Sequence, residues 1–97
     1  MGDDRATQTV EKDLLIINQL GLHARAATKL VQVASKFPCE VELSREDQIA
    51  NGKSVMGVLL LCGAEGTTIH VRATGHKAED CVQAISALVA DRFGEGQ

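Results

Sequence analysis

The sequence predicts an α+β fold, a two-layer sandwich in which an antiparallel sheet carries its helices on one face. Three observations lead there. Two segments alternate strictly between apolar and polar residues, two others repeat their apolar residues with helical spacing, and the inferred order is strand, helix, strand, strand, short helix, strand, helix. Helices with one apolar face each need a common layer to cover, and a sheet with one buried face supplies it.

Residues 1–12 are polar without any period and are expected to form an N-terminal tail. Gly2 is followed by Ala6 where a myristoylation signal wants Ser or Thr, so the start reads as ordinary. Residues 13–19 (DLLIINQ) are a short apolar run with β-branched members, bounded by Gly21, and read as the first strand. From residue 24 to 36, Ala27, Leu30, Val31 and Ala34 recur at i, i+3, i+4 and i+7, which marks one face of a helix that Pro38 stops. Residues 39–44 (CEVELS) put Cys39, Val41 and Leu43 on one face and Glu40, Glu42 and Ser44 on the other, a half-buried strand. A polar turn at Arg45 and Glu46 leads to a weak strand, DQIAN, ending at Asn51 and Gly52.

Ser54 precedes VMGVLLL, and a serine in front of an apolar run is the usual helix cap, so a short helix is favoured over a strand there. Residues 67–73 (TTIHVRA) alternate again, with Ile69, Val71 and Ala73 inward and His70 outward. After Gly75, the positions Ala78, Cys81, Val82, Ile85, Leu88 and Val89 make the best amphipathic helix of the chain. Residues 94–97 (GEGQ) are expected to fray as a C-terminal tail, leaving one domain over residues 13–93.

Composition narrows the function. A chain of 97 residues suits one core and not two. With 44% apolar residues, no Trp or Tyr and only Phe37 and Phe93, that core must come from Val, Leu, Ile, Met and Ala. A net charge of -3 leaves no basic footprint for nucleic acid and no polybasic membrane anchor. Cys39, Cys62 and Cys81 are odd in number, lack C-x-x-C spacing and sit in apolar contexts, so buried reduced thiols are expected. No run is long enough to span a membrane and no basic segment precedes an apolar one at the start, which points to a soluble cytoplasmic protein. Neither ligand spacing for a metal nor a phosphate loop, nucleophile elbow or dinucleotide fingerprint is present, so no metal and no cofactor are expected.

One stretch carries chemistry. In GLHARAATKL, His23 falls at the start of the first helix, where backbone N–H groups lack partners and the dipole end is positive. An anion attached to this imidazole would meet those donors, and Arg25 can bring its planar fork to the same point. The positive helix end also disfavours imidazolium and keeps a ring nitrogen free as a nucleophile. Ala24, Ala26 and Ala27 are small, so a large partner can approach. The same spacing also fits a plain polar cap followed by a solvated arginine.

GLHARAAT and, further along, NGKSVMGVLLL resemble the two motifs of HPr, the histidine-containing phosphocarrier family of the bacterial sugar phosphotransferase system, which includes nitrogen-related paralogues. The resemblance spans residues 14–93. It implies an open-faced β-sandwich, a four-stranded antiparallel sheet with three helices on one side. It implies that His23 accepts phosphate as a pros-phosphohistidine from Enzyme I, itself charged by phosphoenolpyruvate, that Arg25 supports the phosphate, and that an EIIA domain receives it. The protein is then a covalent carrier and not a turnover enzyme. The resemblance further marks Ser54 as the serine that an HPr kinase/phosphorylase modifies in some relatives, and Leu22, Val55, Met56 and Leu59 as an apolar docking patch. Ala26 departs from the family's usual proline, and alanine keeps helical geometry while adding a donor, so a slightly looser site is expected.

Two other readings compete. One is a regulatory paralogue that acts by docking and Ser54 phosphorylation; retention of His23 argues against a purely regulatory form. The other is a small metal- or ligand-binding α+β domain. Monomer is the expectation for a carrier that docks its partners through one face.

Overall fold

The computed structural model describes residues 8–97; the tail reading for residues 1–7, with the Gly2 and Ala6 argument, lies outside them. The elements are β1 (Thr9–Leu15), α1 (Ala24–Ala34), β2 (Glu40–Arg45), β3 (Gln48–Asn51), α2 (Val55–Leu60), β4 (Thr68–Thr74) and α3 (Ala78–Ala90), then a 3-10 turn at Arg92–Gly94. The strands form one antiparallel sheet in the order β1-β4-β2-β3.

Alternation sorts the two faces. Leu14, Val41, Leu43, Ala50, Ile69, Val71 and Ala73 are buried on the helix side, where they meet Ala26, Ala27, Leu30 and Ala34 of α1, Val58 of α2, and Cys81, Val82, Ile85 and Val89 of α3. The other face stays in solvent and holds Glu11, Asp13, His70, Arg72, Glu40 and Glu42 in cross-strand register. The core is built from small aliphatic pieces, as the composition requires, and Phe93 is its one fully buried aromatic.

Two boundaries differ from the sequence reading for physical reasons. The first strand lies four residues earlier than the apolar run suggested. Its pattern is weak because Lys12 occupies a helix-facing position, and Lys12 is tolerated there by reaching the edge of the sheet, where Nζ donates to Ser86 Oγ at 2.8 Å. Register with the whole of β4, from Thr9 opposite Thr74 to Leu15 opposite Thr68, decided its position. At the other end, residues 94–97 are not frayed. Glu95 N–H donates to Arg92 O at 3.0 Å and Gln97 O accepts from Gln19 N–H at 3.0 Å, so the segment folds back over the loop before α1.

The thiols also need a correction. Cys39 and Cys81 are buried, whereas Cys62 is exposed. It sits where the chain leaves α2 in a left-handed conformation, φ 53°, which turns it away from the core. Burial, followed by the neighbouring Cys39, pushes the Cys81 thiol up to about 12, so this is an inert thiol. No helix among the described residues is long and apolar enough to cross a membrane.

Candidate functional site

The loop between β1 and α1 makes the site. Gly21 adopts φ +66°, and a Cβ there would lie 2.5 Å from the backbone oxygen of Gly63, so the position demands glycine twice over. Leu22 N–H then donates to that same oxygen at 2.8 Å. This tie buries the Leu22 side chain, at 5% exposure, and sets His23 as the next residue at the helix entry.

His23 is the N-cap of α1, in extended backbone geometry (φ -74°, ψ 178°), and its carbonyl accepts from Ala27 N–H at 2.8 Å. Nδ1 of the ring accepts from Arg25 N–H at 3.3 Å, so this nitrogen lies against the open amides of the first turn. The first turn of α1 contains no acidic residue, which leaves its positive end uncompensated from within the helix. Arg25 is exposed and, among the described residues, forms no ion pair. Both residues line a groove of about 700 Å³, together with Leu20, Lys29, Glu95 and Gln97. Of the small residues thought to ease approach, only Ala24 is on the surface; Ala26 and Ala27 are in the core. Their smallness serves packing of α1 on the sheet.

Glu95 is the residue the sequence did not reveal. Its Oε2 pairs with His23 Nε2, and its Oε1 accepts from Asn18 Nδ2 at 2.8 Å. Asn18 is fully buried and gives its second amide proton to Gly21 O at 2.9 Å. Desolvation alone would raise the Glu95 carboxyl, but hydrogen bonds from His23 and Asn18, followed by electrostatic attraction to His23 and Lys29, hold it below the ordinary carboxylate value. Lys29 is held by its own bond to Phe93 O, at 2.7 Å. GEGQ has no periodicity to advertise such a role. A polar Asn18 inside an apolar run was the one visible signal.

The second motif folds as a capped helix. Ser54 is the N-cap of α2, its Oγ accepting from Gly57 N–H at 3.1 Å, and it is partly accessible. On α2, Met56 and Leu60 are 67% and 65% exposed, while Val55 and Leu59 are half-buried against the core. Leu22, expected among the docking residues, is not on the surface at all, because its backbone tie to Gly63 turns it inward. Leu20, 68% exposed, lines the groove with His23. His76 is exposed in the turn before α3, and His70 sits on the open face between Asp13 and Glu11, each at 2.7 Å.

Comparison with known proteins gives the family. The model of the PTS HPr component phosphorylation site matches residues 10–91. The phosphocarrier protein HPr of Xylella fastidiosa is 46% identical over 86 residues, covering 89% of this chain and 97% of the relative. That of Cupriavidus necator is 42% identical over 91% of this chain and 99% of its own. The phosphocarrier protein NPr of Shewanella violacea is 42% identical over 89% and 94%. The crystal structure of HPr-C-His from Thermoanaerobacter tengcongensis superposes with a TM-score of 0.86 at 35% identity, over 89% of this chain and 97% of that one. With the open-faced fold, the capping histidine and nearly end-to-end identity at this level, the chain belongs to the HPr family of phosphocarrier proteins of the phosphotransferase system.

Proposed function

We propose that the protein carries a phosphoryl group on His23, taken from Enzyme I and ultimately from phosphoenolpyruvate, and delivered to EIIA domains. The observation that carries this reading is the placement of Nδ1 at the amide end of α1 with Arg25 beside it. The Nδ1 lone pair attacks phosphorus, the donor's bond to phosphorus breaks, and the phosphoramidate oxygens enter a field of first-turn N–H groups and one guanidinium. The site is a shallow groove because the cargo must be both held and released to a second protein. The added donor at Ala26 and the absence of a preset φ make the first turn slightly looser than a proline would.

Met56, Leu60 and Leu20 give this face exposed apolar surface for docking, with Val55 and Leu59 supporting it from below. Phosphorylation of Ser54 by an HPr kinase would place about two negative charges at the start of α2, where the free amides tolerate them but the docking surface gains charge and binds its partners more weakly. The same cap supports the second reading, a regulatory paralogue that works through docking and Ser54.

Intact mass after incubation with phosphoenolpyruvate and Enzyme I separates the two. One phosphate that brief acid treatment removes, absent in His23→Ala, is the result expected of a carrier. A wild type that stays unmodified beside an active control carrier would favour the regulatory reading.

A further inference from the structure

We propose that Glu95 is the positioning residue of His23: its carboxylate takes the Nε2–H, leaves Nδ1 as the bare nucleophilic nitrogen, and balances the charge that phosphorylation puts on the ring. The inference rests on the reading of His23 as the phosphoryl acceptor.

A neutral imidazole carries one proton, and its partners decide which nitrogen holds it. At His23 both partners select the same form. Nδ1 faces a donor, the Arg25 N–H, and only an unprotonated nitrogen can accept there. Nε2 faces an acceptor, the Glu95 carboxylate, and only a protonated nitrogen can donate to it. The two nitrogens lie on opposite edges of the ring, so the carboxylate stands clear of the position the phosphate takes.

The carboxylate is held in place by a purpose-built arrangement. Asn18, 0% exposed, bridges Glu95 Oε1 and Gly21 O, so one buried amide fixes the carboxylate relative to the turn that delivers His23. The C-terminal backbone is bent to reach this point: Arg92, Phe93 and Gly94 have φ of 55°, 54° and 77°, three left-handed residues in succession, two of them not glycine. Such a run persists only where its surroundings over-determine it. Phe93 is fully buried, its carbonyl accepts from Lys29 Nζ, and Gln97 O is held by Gln19 N–H. The outcome of that bend is a carboxylate seated on the far side of the histidine.

During transfer the Nδ1 lone pair forms the new bond to phosphorus while the donor keeps the electron pair of the bond that breaks. Nε2 keeps its proton throughout. The ring therefore becomes cationic as the phosphoramidate forms, and Glu95 is the anion it faces. On delivery the electron pair returns to Nδ1 and the ring is neutral again.

The test uses the full chain with 15N-labelled histidine. In the wild type at neutral pH, a downfield proton correlated to Nε2 of His23 is expected, held against exchange by the carboxylate, and Glu95→Ala should lose it. With saturating Enzyme I donor, Glu95→Ala should transfer phosphate about 10-fold more slowly with little change in KM. Glu95→Gln, which still accepts the Nε2–H but lacks the charge, should keep the proton signal and fall between the two in rate. An Nε2 signal that is unchanged in Glu95→Ala, or an undiminished transfer rate in that variant, overturns the proposal. A wild type that takes no phosphate sinks the carrier reading itself, while dependence of the Nε2 signal on Glu95 would still show that the carboxylate sets the ring.

Discussion

His23 and His70 show how one residue type is given two tasks by its partners. His23 has a donor on one nitrogen and a carboxylate on the other, whereas His70 has carboxylates on both, Asp13 at Nδ1 and Glu11 at Nε2. Hydrogen bonds donated to Asp13 and then Glu11 raise the His70 pKa against a lowering by desolvation. A raised folded-state value means that the pairing stabilises fully below the unfolded value of about 6.5 and is lost as pH rises through the folded one. Because the side chain is 39% exposed, solvent screening limits the gain to about 0.5 kcal/mol. Thermal melts of His70→Gln should therefore fall about 2–4 °C below wild type at pH 6 and coincide with it at pH 9. Nothing at single-residue level in the sequence separates these two histidines; register opposite β1 makes one, and the return of the C-terminus makes the other.

At the scale of elements, the entries of α2 and α3 are built in different ways. α2 has six residues and depends on its cap more than a longer helix would. Ser54→Ala should lower stability by about 1 kcal/mol, read as a melting point about 4–8 °C lower, before any question of phosphorylation arises. α3 begins differently. Its N-cap, Lys77, is left-handed at φ 63° and makes no side-chain cap bond, and Glu79 and Asp80 in the first turn offset the exposed amides. Glycine accepts that conformation without a Cβ penalty, so Lys77→Gly should raise the denaturation free energy by about 1 kcal/mol in urea titration. Serine before an apolar run announced the first entry in the sequence. The second was located by periodicity alone, since nothing about lysine announces a left-handed cap.

For the whole molecule, one thin core ties sheet, helices and site together. Leu30 of α1 is 1% exposed among the buried aliphatic residues that also anchor α2 and α3. Leu30→Ala should cost about 2–5 kcal/mol, a large part of the 5–15 kcal/mol typical of such a domain, and shift the urea midpoint downward with an unchanged slope. Strand alternation, helical periodicity and the serine cap were enough to read the α+β sandwich and its element order, because each is a local consequence of having one buried face. The position of His23 and Arg25 at the entry of α1 was legible for the same reason: a helix entry is a local feature, and its free amides follow from the backbone alone. The start of β1, the exposure of Cys62, the burial of Leu22 and the role of Glu95 were decided only by tertiary structure. Three of these depend on a partner far along the chain: β4 for the strand, Gly63 for Leu22, and the loop before α1 for the Glu95 side chain; Cys62 is exposed because of its left-handed backbone at the exit of α2. A sequence pattern encodes which face of an element is apolar, but the pairing of His23 with Glu95 exists only once packing has brought residues 72 positions apart to one place.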